Sequence, residues 1–285
     1  MASAGMIRSC AGLDESRLAA IRLVVSDIDG TLVRPDKSLA PATVEAVARL
    51  RAVGIGFTLI SARPPSGLAA LIETLSLETP VGAFNGATIF RPGGAIVEAH
   101  HLDEDVARGI VEAYDGLDIP VWLFADGRWM TRRLDMPHIR QEIVAAAQEP
   151  VLAEDFGRWL GRADKVQGVC DDPERLERAE AILIARFGQR ATIAKSQPYY
   201  LDATAPATDK GHGVRQLAGA FDVPLSAVAV LGDMPNDVPM FRIAGLAVAM
   251  GQAPVEVKAE AHAATLSNSA DGVAAFLDRI VSSRN

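Results

Sequence analysis

A chain of 285 residues, 49% hydrophobic and 22% charged, is too apolar for intrinsic disorder and long enough for one large domain or two smaller ones; two are expected. A formal net charge of −8 with no run of Lys or Arg excludes the dense positive surface that nucleic acid or an anionic membrane requires. The two cysteines, Cys10 and Cys170, lie too far apart in sequence to suggest a disulfide framework or a Cys-based metal site, and no apolar run reaches the roughly 20 residues of a membrane span.

Met1 to Arg22 lacks the basic start and apolar centre of a signal peptide, so a cytoplasmic protein in a reducing compartment is expected. The segment before Ile21 reads as a loose leader that includes a turn of helix, and Met6 is an alternative start. The run Ile21 to Val25 then reads as a buried strand that ends in Asp27, Asp29, Gly30 and Thr31. Acids before Gly are common turn formers. Carboxylates at the mouth of an apolar sheet are also costly unless a cation meets them, and Mg²⁺, with its preference for oxygen ligands, is the candidate.

Pro41 to Val53 carries Val44, Val47 and Leu50 on one face, with Pro near its start and Gly54 past its end, which predicts a helix. A second apolar run, Ile55 to Ile60, stops at Ser61-Ala62-Arg63-Pro64 and precedes a helix over about 66–75. The β-α-β order predicts parallel neighbours, so both strand ends open on one edge of the sheet, where ligands sit in such folds. Taken singly, Ser61 could be a helix cap and Arg63 a solvated charge. Val81 to Phe84 is followed by Asn85-Gly86-Ala87, and then the alternation breaks into a hairpin, Thr88 to Phe90 and Ala95 to Glu98 around Pro92-Gly93-Gly94, which marks a candidate domain boundary.

The middle of the chain reads as a separate α+β layer, its sheet covered on one face by helices: helices over 103–117, 139–147 and 173–187, and strands over 121–124, 166–170 and 191–194. His100-His101 could suggest a metal, but no Cys or His lies at useful spacing nearby, so the pair is not counted as a site. Trp122, Trp129 and Trp159 read as core or sheet-face packing. The run Tyr199 to Ala203 is expected to return to the first sheet, followed by Thr208-Asp209-Lys210-Gly211 and a helix to Phe221. Lys210 near a helix start opposes the dipole unless an anion lies between them. Val228 to Leu231 runs directly into Gly232-Asp233-Met234-Pro235-Asn236-Asp237, so acids again crown a strand end; a strand at 246–250 and helices from Pro254 and Asp271 complete the pattern.

Four strand-end clusters in this order, DIDGT at Asp27, SAR at Ser61, KG at Lys210 and GDMPND at Asp233, carry a resemblance. The chain resembles the haloacid-dehalogenase-like (HAD) hydrolase superfamily, and within it the Cof-like sugar-phosphate phosphatases, over essentially everything after Arg22. The resemblance implies an α/β fold with a Rossmann-like parallel-sheet core built from residues 1–85 and 197–285, with a large inserted α+β cap over 86–196. It further implies Asp27 as a nucleophile that forms an aspartyl-phosphate and Asp29 as the general acid and base. By the same resemblance Mg²⁺ is held by Asp27, the backbone carbonyl of Asp29 and Asp233, with Asp237 supporting, and phosphate is bound by Ser61, the amide of Ala62, Lys210 and Asn236. Arg63 and Asn85 are the candidate substrate contacts. Ala62 replaces the usual Gly of the second motif, Pro235 stiffens the fourth, and Asp202 makes the strand before Lys210 unusually polar.

The expected function is Mg²⁺-dependent hydrolysis of small phosphomonoesters, most of all sugar phosphates, by a monomer or homodimer. A sugar phosphomutase on the same scaffold and a non-catalytic phosphometabolite-binding protein are the alternatives. The latter would be expected to have lost one of Asp27, Asp29, Lys210 or Asp233, and all four are present.

Overall fold

The computed structural model describes residues 10–284, so the alternative start at Met6 and the first nine residues of the predicted leader lie outside the described residues. In chain order the elements are α1 (Glu15–Ala19), β1 (Leu23–Ser26), α2 (Pro41–Ala52), β2 (Gly56–Leu59), α3 (Ala69–Thr74), β3 (Val81–Ala83), β4 (Thr88–Phe90), β5 (Ile96–Ala99), α4 (Glu104–Asp115), β6 (Val121–Ala125), β7 (Arg128–Thr131) and α5 (Ile139–Ala146). They continue with β8 (Val151–Leu152), β9 (Ala163–Val169), α6 (Pro173–Phe187), β10 (Thr192–Gln197), β11 (Tyr200–Thr204), α7 (Lys210–Ala220), β12 (Val228–Gly232), α8 (Val238–Phe241), β13 (Leu246–Ala249), α9 (Val255–Ala259), β14 (Ala263–Ala264) and α10 (Gly272–Ser282).

These elements divide into two compact units. The first holds the described residues up to Ile60, with Leu71–Val81 and everything from Val214; the second holds Ser61–Ala70 and Gly82–Gly213. The first unit is built on a parallel sheet in the order β14-β13-β12-β1-β2. Its inner strands are apolar at successive positions because helices cover both faces of a parallel sheet, and β1, β12 and β13 are buried throughout. The chain runs from β1 to β2 on one side and places β12 on the other, so the strand order switches direction between β1 and β12. Ligand crevices form at such a point, beyond the carboxyl ends of the strands.

The second unit contains a six-stranded sheet in the order β10-β11-β9-β6-β7-β8, antiparallel except for the β7–β8 pair, and the β4–β5 hairpin. Along β6 the side chains alternate: Val121, Leu123 and Ala125 join the core beneath α4 and α6. Trp122 and Phe124 face the other way, where Trp122 meets Trp129 (4.8 Å between ring centroids) and Tyr200 (5.4 Å) edge to face. This second face is buried too, with Trp122 and Trp129 wholly inaccessible, so the sheet is covered more fully than helices on one face would suggest; Trp159 packs in the helix-side core. The run at Tyr199 does not return to the parallel sheet. It forms β11, antiparallel to β9 and β10, because Leu201 and Ala203 complete the core under α4 and α6 while Tyr200 joins the aromatic face.

Candidate active site

Asp27 is the first residue past β1, and its backbone N–H donates to Leu231 O at 3.0 Å, so β1 and β12 end in step. Asp27, Asp233 and Asp237 are 4%, 7% and 0% exposed, and one oxygen of each lies within 4.8 Å of the others. The loop that presents the last two is self-supporting: Asp237 Oδ2 accepts the N–H of Asp233 (2.7 Å) and of Met234 (2.9 Å). Gly232 leaves room for it, since a Cβ there would sit 2.4 Å from the Asp237 carboxyl carbon. Pro235 opens the short 3-10 turn Pro235–Asp237, which also carries Asn236, itself buried. Three buried carboxylates with oxygen donors alone suit a hard divalent cation and nothing softer.

The remaining groups of this loop cluster fix the carboxylates. Gly30 has φ +81°, and a Cβ there would meet Asp233 Oδ2 at 2.2 Å, so the turn after Asp29 can close only on glycine. Thr31 Oγ1 donates to Asp233 Oδ1 (3.2 Å), and Gln252 Nε2 donates to Gly30 O (2.5 Å) and Asp233 Oδ2 (3.4 Å). The Asp29 carboxylate lies outside the three-carboxylate cluster and pairs instead with Lys37 Nζ at 2.6 Å.

The other expected residues belong to the second unit. Ser61 follows the end of the β2 run; its Oγ accepts the Arg63 N–H (3.2 Å), and its carbonyl accepts the Asn85 N–H (2.8 Å). Arg63 is 8% exposed; its carbonyl accepts the Phe84 N–H (3.0 Å), and its guanidinium donates to Gly67 O (3.1 Å). The 84–86 segment has three successive positive φ values, Phe84 (48°), Asn85 (57°) and Gly86 (92°), while Ala62 is not among the left-handed residues. The Gly-to-Ala replacement at 62 is therefore conformationally neutral, and the strain sits one loop further on. A Cβ on Gly86 would meet Asp209 O at 2.8 Å and Gly213 Cα at 2.9 Å, which brings this loop close against the start of α7, where Lys210 is the first helical residue. Lys210 is 1% exposed.

Residues 24–277 match the model of the haloacid dehalogenase-like hydrolases. The chain belongs to that family. This hydrolase is 26% identical over 252 residues to the HMP-PP phosphatase of Cronobacter sakazakii, covering 84% of this chain and 87% of the relative. It is 23% identical over 291 residues to the 5-amino-6-(5-phospho-D-ribitylamino)uracil phosphatase of Bacillus subtilis, covering 92% and 99%. The crystal structure of a haloacid dehalogenase-like hydrolase from Bacteroides thetaiotaomicron superposes with a TM-score of 0.79 at 26% identity, over 91% of this chain and 99% of that one. The hydrolase is accordingly a phosphatase of the Cof-like type, with the α/β core and inserted α+β unit of its relatives.

Several residues that support the candidate site carried little or no signal in the sequence. Lys37, in the Pro35-Asp36-Lys37 turn, carried only the faint signal of a cation shortly after an acidic loop. Thr31 was visible in DIDGT without an assigned task, and Gln252 had no signal at all. In the second unit Asp202 on β11 is 1% exposed, 4.0 Å from Lys165 Nζ and hydrogen-bonded by Gln167 (2.7 Å) and Asn85 (3.4 Å). Lys165 Nζ donates to Ala62 O (3.1 Å) and stands 4.4 Å from the centre of the Phe124 ring. The unusual polarity noted at Asp202 thus has a partner set on β9.

Proposed function

We propose that this phosphatase is Mg²⁺-dependent, acts on small phosphomonoesters with sugar phosphates foremost, and works through an aspartyl-phosphate on Asp27. The observation that carries the reading is the buried group of Asp27, Asp233 and Asp237 at the switch point of the parallel sheet. Asp27, Asp233, Asp237 and the backbone carbonyl of Asp29 would hold the cation, which supplies charge neutralisation for the phosphoryl oxygens and keeps Asp27 ionised. Asp27 attacks phosphorus as the ester P–O bond breaks, and Asp29 gives its proton to the departing alkoxide. Asp29, now a carboxylate, takes a proton from water as that water attacks the same phosphorus; phosphate leaves and the Asp27 carboxylate is restored. Lys37 Nζ, 2.6 Å from Asp29 Oδ1, fixes where the Asp29 carboxyl group points.

Ser61 Oγ, the Ala62 amide, Lys210 and Asn236 bind the phosphate and oppose its charge as it redistributes. Arg63 and Asn85, held by Gly67 O and Asp202, are assigned to the alcohol half of the substrate. The reading of sugar-like substrates draws support from a relative whose named substrate carries a phospho-ribityl group. The test is phosphate release from a panel of sugar phosphates and other phosphomonoesters, with and without Mg²⁺, for wild type beside Asp27→Asn. Release that requires both the metal and Asp27 supports the proposal. Isomerised sugar phosphate without free phosphate would make the protein a mutase, and metal-independent release would remove the carboxylate site from the mechanism.

A further inference from the structure

Glu98, His100 and His212 stand apart in sequence but meet within the second unit. Glu98 lies on β5, His100 just beyond its end, and His212 in the first turn of α7. The Nε2 atoms of both imidazoles aim at the same oxygen, Glu98 Oε1: His100 is hydrogen-bonded to it, and His212 reaches it at 3.1 Å. The two rings are edge to face with centroids 5.6 Å apart, and one ligating atom from each of the three residues lies within 4.8 Å of the others. Two imidazoles and a carboxylate form a borderline donor set, suited to zinc-like ions and poorly matched to Mg²⁺ or Ca²⁺.

The backbone under all three is already fixed. The His100 N–H donates to Ala87 O (2.9 Å), the Glu98 strand is paired with β4, and Asp209 Oδ1 caps the His212 N–H (2.7 Å). The ligands are thus presented by a strand end and a capped helix start rather than by a loose loop. The His100 side chain is 43% exposed, against 26% for Glu98 and 23% for His212, so one side of the cluster is open to solvent. A tetrahedral ion with bonds of about 2.0–2.2 Å needs its ligand atoms on the order of 3.3–3.5 Å apart. The His212–Glu98 separation is close to that, and the His100 pair needs only a small side-chain opening. Each ring would then carry its proton on Nδ1 and present the Nε2 lone pair.

We propose that Glu98, His100 and His212 form a Zn²⁺-class site with three protein ligands and a fourth, solvent-facing position. The site is chemically distinct from the all-carboxylate cluster, and it does not depend on the phosphatase mechanism. When filled, it clamps the end of β5 to the turn of α7 that begins with Lys210.

The test is Zn²⁺ titration of the full chain in millimolar Mg²⁺, added to compete for the carboxylate cluster, read by competition with a chromophoric chelator. One Zn²⁺ per chain is expected, with His100→Ala and His212→Ala each weakening it at least about tenfold and Asp27→Asn leaving it unchanged. Circular dichroism of the metal-free variants checks folding, and Glu98→Gln, which keeps an acceptor oxygen, gives a milder second variant that should also weaken binding. Co²⁺ should show visible absorption bands that vanish in the His100→Ala, His212→Ala double variant. Absence of Zn²⁺ binding by the wild type up to 100 µM, or binding that survives in the folded double variant, overturns the proposal.

Discussion

Replacing Gly30 by Ala adds a single methyl group to the loop that carries Asp27 and Asp29, and the structure says where it goes. At φ +81° an L residue pays a left-handed penalty of about 1–2 kcal/mol. The new Cβ would sit 2.2 Å from Asp233 Oδ2 and 2.7 Å from its carboxyl carbon, so the Asp233 side chain must move by about an ångström to reach van der Waals separation. That movement breaks the bonds from Thr31 (3.2 Å) and Gln252 (3.4 Å), each worth about 0.5–1.5 kcal/mol at such lengths. The expected sum is roughly 2–5 kcal/mol of lost stability. Because the displaced side chain belongs to the carboxylate cluster, the proposed Mg²⁺ dependence should shift, with the concentration for half-maximal activity rising by about tenfold or more, where 1.4 kcal/mol is one factor of ten. Thermal melts and Mg²⁺-dependent phosphate release read the two effects separately. A Gly30→Ala protein with wild-type melting temperature and wild-type Mg²⁺ dependence would refute the placement of Asp233 against this turn.

Three further outcomes follow from geometry. Asp237→Ala leaves the N–H groups of Asp233 and Met234 without their acceptor and should cost about 2–6 kcal/mol in chemical denaturation, whereas Asp237→Asn, which keeps one acceptor oxygen, should cost less; equal losses would show that the hydrogen bonds are not the reason for the residue. Lys165→Met removes the cation beside the buried Asp202 carboxylate and should destabilise by about 3–5 kcal/mol, with Lys165→Met, Asp202→Asn together recovering part of it; no recovery in the double variant would argue against the pairing. His101 is hydrogen-bonded to Asp164 at 3.1 Å, which holds its imidazole above the ordinary value, while burial pushes the Asp164 carboxyl up. A raised imidazole value means that the folded chain binds the extra proton, so this contribution is complete below about pH 6.5 and is lost as pH rises through the raised value. With His101 45% exposed, screening limits it to a few tenths of a kcal/mol; denaturation midpoints at pH 6 and pH 8 in the presence of a zinc chelator should differ more for wild type than for His101→Gln, and an identical difference would refute it.

What the sequence revealed tracks what is local in it. Asp27, Asp29, Asp233 and Asp237 were legible because each stands where an apolar run stops, and a strand end is written into a handful of consecutive residues. Their support was not: the cation on Asp29 comes from Lys37 in an unremarkable turn, and Gln252 reaches Asp233 from 19 positions away. The β6–β7 hairpin carries a signal beyond the strand expected over 121–124: Asp126-Gly127 between apolar runs, with φ values of 53° and 67°. The run at Tyr199 looks like any short strand, and nothing within it names β9 as its partner; only the alternation of Tyr200, Leu201, Asp202 and Ala203 between two buried faces does so, once those faces exist. His100 lacked a partner at close spacing because its partner, His212, lies 112 residues on, at the start of α7.

The edges of the six-stranded sheet bear on how this protein behaves when crowded. An unpaired strand is a template for a neighbouring chain, and a sheet of this size has two such margins. One margin here is β8, which is two residues long. The other is β10, whose register against β11 slips between Lys195 and Gln197 and whose Lys195 is paired with Glu180. Too short a ribbon on one side, and a kinked one with a charge on the other, leave little straight backbone for a second molecule to extend. The inserted unit can therefore carry a broad sheet without inviting edge-to-edge polymerisation.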